Sequence, residues 1–277
     1  MAIDDTWYTE EWADQGSAIS LKIKTKLCDL QSPYQRIEIF ETESFGRLMT
    51  LDGLVMVTGR DNFIYHEMLT HPALCSHMQP EKVLIIGGGD CGTLKEVLKH
   101  EAVKHVDMVE LDADVTHAAE EFFPELCSSN HDPRAAIHFE DGIKWVKDAD
   151  EQRYDVILVD STDPVGPAAG LFEIEFYRQC FRALTDNGIL ALQSESPLFH
   201  TSLIQAVDDS LGQAGFAKRK LFHFPQCTYP SGWWSATVAA KNGTLSVDLL
   251  RRPTLDTRYY SHELYAAAAI PPRFLQS

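Results

Sequence analysis

Positive charge is scarce in this sequence: 24 lysines and arginines face 41 aspartates and glutamates, a formal net charge of −17 over 277 residues. A surface of that sign repels polyanions, so nucleic acid and anionic membranes are not expected as partners, and cations are favoured. Long apolar runs are missing as well; none approaches the roughly 20 residues of a membrane-spanning helix. The first residues, MAIDDTWYTEEW, have neither a basic start nor an apolar stretch, so a secretory signal is not expected. The six cysteines, Cys28, Cys75, Cys91, Cys127, Cys180 and Cys227, contain no C-x-x-C pair. That excludes a zinc ribbon and a dithiol redox motif, and reduced thiols in the cytoplasm are the expectation. Internal repeats and low-complexity tracts are also absent. What remains is ordinary globular composition, 44% hydrophobic and 23% charged, long enough for one large domain with a small companion.

Two textures divide the chain. From Ala18 to about Val57 the pattern alternates, with Ser-Pro, Phe-Gly and Asp-Gly as turns, which predicts a small antiparallel sheet. The segment from Asn62 to Met78 has helical spacing, with a break or kink expected at Pro72. After Pro80, strands alternate with helices as in βαβ units. "KVLIIGGG", "HVDMVELD", "AAIHFEDG", "YDVILVDSTDP" and "GILALQS" read as parallel strands, and "AKRKLFHF" and "WWSATVAAK" as a final antiparallel pair. "LFEIEFYRQCFRAL" reads as a helix closed by a turn at Asp186-Asn187-Gly188. The fold class is therefore α/β, with a mostly parallel Rossmann-like sheet of seven strands of the kind S-adenosylmethionine enzymes use. We expect an N-terminal β domain over residues 1–61 and the Rossmann-like domain over 62–277.

Gly87, Gly89 and Gly92 satisfy G-x-G-x-x-G directly after a predicted strand, where backbone can approach a ligand and a helix N-terminus faces it. Glu110 follows at the end of the next strand, placed to accept from the hydroxyls of a ribose. An NAD dehydrogenase shares this pattern, but Asp90 inside the turn would repel a pyrophosphate. No Tyr-x-x-x-Lys pair occurs either. Asp141-Gly142 after strand three, and Asp160 and Asp163 after strand four, bring further carboxylates to the crevice at the strand ends. Asp112 and Asp141 also suit helix N-caps. Acids so gathered call for a cation. No His or Cys accompanies them at ligand spacing and no EF-hand loop exists, so no metal is expected. A sulfonium nucleoside with an amine tail, together with a second amine, supplies the charge.

The motifs "GGGDCG", "MVELD", "EDG", "YDVILVDSTDPVGPA", "LQSESP", "YPSGWW" and "RYYSHELYAAA" stand in the order and spacing of the spermidine synthases. The upstream "YQRIEIFET", "FGRLMTLDG" and "RDNFIYHEM" resemble that family's N-terminal domain, so the resemblance runs from about Trp7 to the C-terminus. It implies an aminopropyltransferase of homodimeric or homotetrameric assembly, without a prosthetic group. Decarboxylated S-adenosylmethionine would be the co-substrate and a diamine such as putrescine the acceptor, giving spermidine and 5′-methylthioadenosine.

By the same resemblance Asp160 is the base, while Asp163 and Tyr65 hold the amine beside His66. Gln193 and Tyr229 line the outer end of the diamine channel. Gln35, Glu110, Asp141, Gly142 and Pro167 hold the methylthioadenosine part, Asp90 the propylamine ammonium, and Trp7 covers the channel. Crowding by Asp163 and Asp90 is expected to raise the proton affinity of Asp160, and Pro164-Val165-Gly166-Pro167 to form a closing loop. An S-adenosylmethionine-dependent amine N-methyltransferase ranks second, because intact S-adenosylmethionine would set its carboxylate against Asp90. A member that only binds polyamine ranks third. The sequence departs from the family pattern at Met56, Gly59, Asn62, Cys91, Tyr265 and Ala269.

Overall fold

A computed structural model describes residues 4–163 and 166–275. Its first sheet is an antiparallel meander, β1 (Trp7–Trp12), β2 (Ser17–Gln31), β3 (Arg36–Thr42), β4 (Arg47–Leu51) and β5 (Leu54–Thr58), joined in sequence order. Alternation splits its apolar residues between two faces. Ile37, Ile39, Met49, Leu51 and Val57 form one packed cluster, and Leu21, Phe40, Leu48 and Val55 another. The first strand is an addition to the sequence reading, which began at Ala18. "WYTEEW" carries no clean alternation, and pairing with Ser17–Lys22 is what makes it a strand.

Next comes α1 (Asn62–Ser76), followed by β6 (Lys82–Gly87), α2 (Gly92–Leu98), β7 (His105–Glu110), α3 (Ala113–Phe122), β8 (Ala135–Phe139) and α4 (Gly142–Asp148). The chain continues through β9 (Tyr154–Asp160), α5 (Ile174–Ala183), β10 (Leu184–Gln193), α6 (Thr201–Ala214), β11 (Lys218–Pro225), β12 (Trp233–Ala240) and α7 (His262–Ala268). The second sheet has the order β11-β12-β10-β9-β6-β7-β8. β12 runs antiparallel to both of its neighbours, and β6 to β10 pair in parallel. This is the expected seven-stranded, mostly parallel sheet.

Helices on both faces explain why its central strands read as unbroken apolar runs. Val83 and Ile85 of β6 pack with Met68 and Leu69 of α1 and Leu94 of α2. Their neighbours Leu84 and Ile86 turn to the opposite layer, with Val146 of α4 and Phe176 of α5. The meander docks through Ile39 and Met49 against Val115 and Ala119 of α3. That contact hangs the small sheet over the C-terminal ends of the parallel strands.

Two local expectations are corrected. Pro72 does not break α1, which runs through it to Ser76. Nearly all of α1 is buried, and that packing outweighs the hydrogen bond proline cannot donate. Asp186-Asn187-Gly188 is not a free turn either. It lies within β10, where the register against β9 shifts between Leu184 and Ile189, and Asp186 and Gly188 accept from Asn242 and Lys241. The expected closing loop at Pro164 and Val165, and the Pro167 side chain, lie outside the described residues.

Candidate active site

The parallel strands end around one cavity of about 180 Å³. Its walls include Gln35, Tyr65, Asp90, Glu110, Asp141, Gly142, Asp160 and Tyr229, so the structure brings these eight sequence candidates together. Asp163 and Gln193 line a smaller neighbouring cavity of about 30 Å³, which shares Tyr65, Tyr229, Met56, Ser161 and Thr162 with the first. His66 stands behind Asp90, 3.0 Å from it. Trp7 lies in β1 opposite Lys22 and is not among the residues lining either cavity.

Backbone geometry makes the approach possible. Gly87 has φ +78°, and a Cβ there would stand 2.1 Å from the Asp160 carbonyl oxygen. A Cβ on Gly92 would fall 2.1 Å from Cε1 of His66, so glycine at this position admits the imidazole. Cys91, between them, holds φ 67° and ψ 2°. This left-handed conformation favours glycine and is unusual for cysteine.

On the wall of the larger cavity, Glu110 accepts from the amide of Asp112 at 2.8 Å. Burial lifts its carboxyl to about 7 against that bond. Asp141 caps α4 by accepting from the amides of Ile143 and Lys144, and Asp112 caps α3. The Gln35 side chain donates to Asp112 at 2.9 Å, tying the meander to the second sheet. Met56 lines both cavities, and its backbone carbonyl accepts from the Tyr229 hydroxyl.

At the centre, the Asp160 carboxylate is shared by two hydroxyls. Tyr65 donates to Oδ1 at 2.7 Å and Thr93 to Oδ2 at 2.6 Å. Burial raises the Asp160 pKa first and the Asp90 charge second, while His66, Thr93 and Tyr65 oppose them. The expectation that Asp163 crowds Asp160 is corrected, because the acidic neighbours of Asp163 are Glu195 and Glu10. Burial, then Glu195 and Glu10, push Asp163 up to about 8. Burial also lifts Glu10, which lines the small cavity from β1, to about 7.

Thr93, Glu10 and Glu195 are thus functional candidates that the sequence reading missed. A carboxylate in a strand facing the crevice was the available signal for Glu10, and it required recognising β1. Glu195 sits in "LQSESP" with φ 64°, nearly fully buried.

The sequence argument that no histidine accompanies the acids is also corrected. Among the described residues, His66, Asp90 and Asp160 bring one ligand atom each within 4.8 Å of one another. Burial would push His66 down, but Asp90 and Asp160 outweigh it and hold the ring at about 9. At neutral pH both ring nitrogens then carry protons, and the histidine is a cation paired with Asp90.

Fold and cleft together define a seven-stranded α/β protein with an acid-walled cavity at the ends of its parallel strands. Residues 62–249 match the spermine/spermidine synthase domain, and residues 6–59 the spermidine synthase tetramerisation domain. A polyamine aminopropyltransferase of Thioalkalivibrio sulfidiphilus (strain HL-EbGR7) is 55% identical, covering 100% of this chain and 98% of that protein. One from Methylococcus capsulatus (strain ATCC 33009 / NCIMB 11132 / Bath) is 54% identical, covering 97% and 95%. Among solved structures, a spermidine synthase in complex with the transition state analogue AdoDATO superimposes with a TM-score of 0.93 at 34% identity, over 100% of this chain and 95% of that one. Spermidine synthase from Thermotoga maritima gives 0.91 at 35%, over 98% and 92%. The chain belongs to the spermidine synthase family of polyamine aminopropyltransferases.

Proposed function

We propose that the protein transfers the propylamine group of decarboxylated S-adenosylmethionine to putrescine, releasing spermidine and 5′-methylthioadenosine. The observation that carries this reading is the position of Asp160 on the wall of the larger cavity, directly after which the chain passes Ser161 and Thr162, shared by both cavities, to Asp163 in the smaller one. The larger cavity takes the nucleoside, with Gln35, Glu110, Asp141 and Gly142 around it and Asp90 on the propylamine ammonium. The smaller one takes the far end of the diamine, against Asp163, Gln193 and Tyr229.

An amine with an ordinary pKa of about 10.4 is charged at neutral pH and cannot attack. Held by Tyr65 and Asp160, it loses one proton to the Asp160 carboxylate as its nitrogen bonds to the propyl carbon. The carbon–sulfur bond breaks, the electron pair stays on sulfur, and the sulfonium becomes a neutral thioether. No metal or prosthetic group enters these steps. The relative that holds a transition state analogue supports the nucleoside assignment. The match of residues 6–59 to a tetramerisation domain supports a homodimer or homotetramer. No described helix is long and apolar enough to cross a membrane, and a cytoplasmic location accords with the family.

The test is to mix the protein with decarboxylated S-adenosylmethionine and putrescine, cadaverine or agmatine and to follow methylthioadenosine by mass. Methylthioadenosine with putrescine is expected. S-adenosylhomocysteine from intact S-adenosylmethionine would instead establish the methyltransferase.

A further inference from the structure

We propose that Thr93 is a positioning residue for this transfer: its hydroxyl holds Oδ2 of Asp160, keeping the carboxylate charged and aimed at the acceptor amine. The inference rests on the reading of Asp160 as the base.

Thr93 occupies the first turn of α2 and is fully buried. Its hydroxyl lies 2.6 Å from Oδ2, on the opposite oxygen from Tyr65. A threonine hydroxyl has one proton to give, and here it goes to Asp160. A bond this short from a hydroxyl to a charged acceptor belongs to the strong class.

The need for it follows from what surrounds the carboxylate. Tyr65 and His66 face it from α1, Asp90 from the loop after β6, Glu110 from the end of β7, and Tyr229 from the loop after β11. Burial and Asp90 favour the protonated acid, which cannot accept the amine's proton. Donors to the charged form oppose this, and of the two hydroxyls only that of Tyr65 lies on a cavity wall where a substrate can compete for it. Thr93 is absent from the cavity walls, so its bond persists when substrates enter. With one hydroxyl on each oxygen, the carboxylate plane is fixed, and the remaining lone pairs are those left for the amine.

The experiment compares wild type with T93V, which keeps the volume and removes the donor, and with T93S, which keeps the donor. Two quantities are read: the pH profile of kcat/KM, and the titration of the Asp160 carboxyl by ¹³C NMR in ligand-free protein, assigned with D160N. In T93V the acidic limb and the carboxyl titration should both move up by about one unit or more, so that kcat/KM on that limb falls roughly tenfold. The KM for the sulfonium donor should stay within about threefold, and T93S should restore both titrations. If circular dichroism shows T93V unfolded, T93A against T93S gives the same contrast. An Asp160 titration that does not move in the donor-less variant overturns the role of Thr93. Wild-type protein that forms no methylthioadenosine overturns the transferase reading instead, and the NMR titration still decides Thr93.

Discussion

The His66 imidazole is paired with Asp90, Nε2 to Oδ2, across 3.0 Å. His66 is almost fully buried, and the charge of Asp90 and Asp160 keeps it protonated well above the usual imidazole range, at about 9. The cleft therefore carries a cation of its own before any substrate arrives. That cation lowers the cost of placing Asp90 beside a buried Asp160, and it leaves Asp160 easier to ionise.

Replacing His66 by Gln removes this charge while keeping a polar side chain. Asp160 should then hold its proton to higher pH. The acidic limb of kcat/KM moves up, with a loss of roughly tenfold on that limb for each unit of displacement and recovery at higher pH. An unshifted profile would show that the ring has no electrostatic part.

Asp160→Asn keeps the shape of the site and its two hydroxyl donors but removes the proton acceptor. Turnover should fall by at least about 100-fold, the scale of a general base. Calorimetry should find methylthioadenosine bound as in wild type. Retained turnover would move the base elsewhere.

Acceptor binding should strengthen as pH rises through about 8, where Asp163 loses its proton. Below that pH the carboxyl is neutral and attracts the far ammonium weakly; above it, the anion forms. Glu195→Gln removes the like charge second only to burial in holding Asp163 up, so the KM for putrescine near pH 7 should fall and its pH dependence flatten. Steady-state kinetics at fixed donor concentration reads both.

Glu10 and Glu110 at about 7 and Asp163 at about 8 all lie above their ordinary range. These three groups thus bind more protons in the folded protein than in the unfolded chain between roughly pH 4.5 and 8, and the stability they contribute falls as pH rises through that window. Ligand-free protein should melt highest near pH 5 to 6 and lose roughly 5 °C or more by pH 8.5. Glu10→Gln should flatten the decline, and putrescine should restore more at pH 8.5 than at pH 6.

The sheet was legible in the sequence because buried parallel strands read as apolar runs between glycine turns, and the cavity acids because they end such runs. Asp90, Glu110, Asp141 and Asp160 meet in the cavity for that reason. What escaped depends on contacts made across the fold. Thr93 looks like any helix residue until β9 brings Asp160 to it, 67 positions away. Glu10 lies in a strand defined only by its partner, and the Glu195 side chain depends on a left-handed backbone that no local pattern announces. His66 was placed beside the amine by resemblance, yet its pairing with Asp90 needed the gap left by Gly92.

A crystal structure with methylthioadenosine and putrescine bound tests most directly whether this acidic cleft exists to gather cations around Asp160. The predicted result sets the nucleoside between Gln35 and Glu110, one putrescine nitrogen on Asp160 and Tyr65, and the other toward Asp163. A diamine bound away from Asp160, or a nucleoside seated outside the glycine turn, would contradict the account.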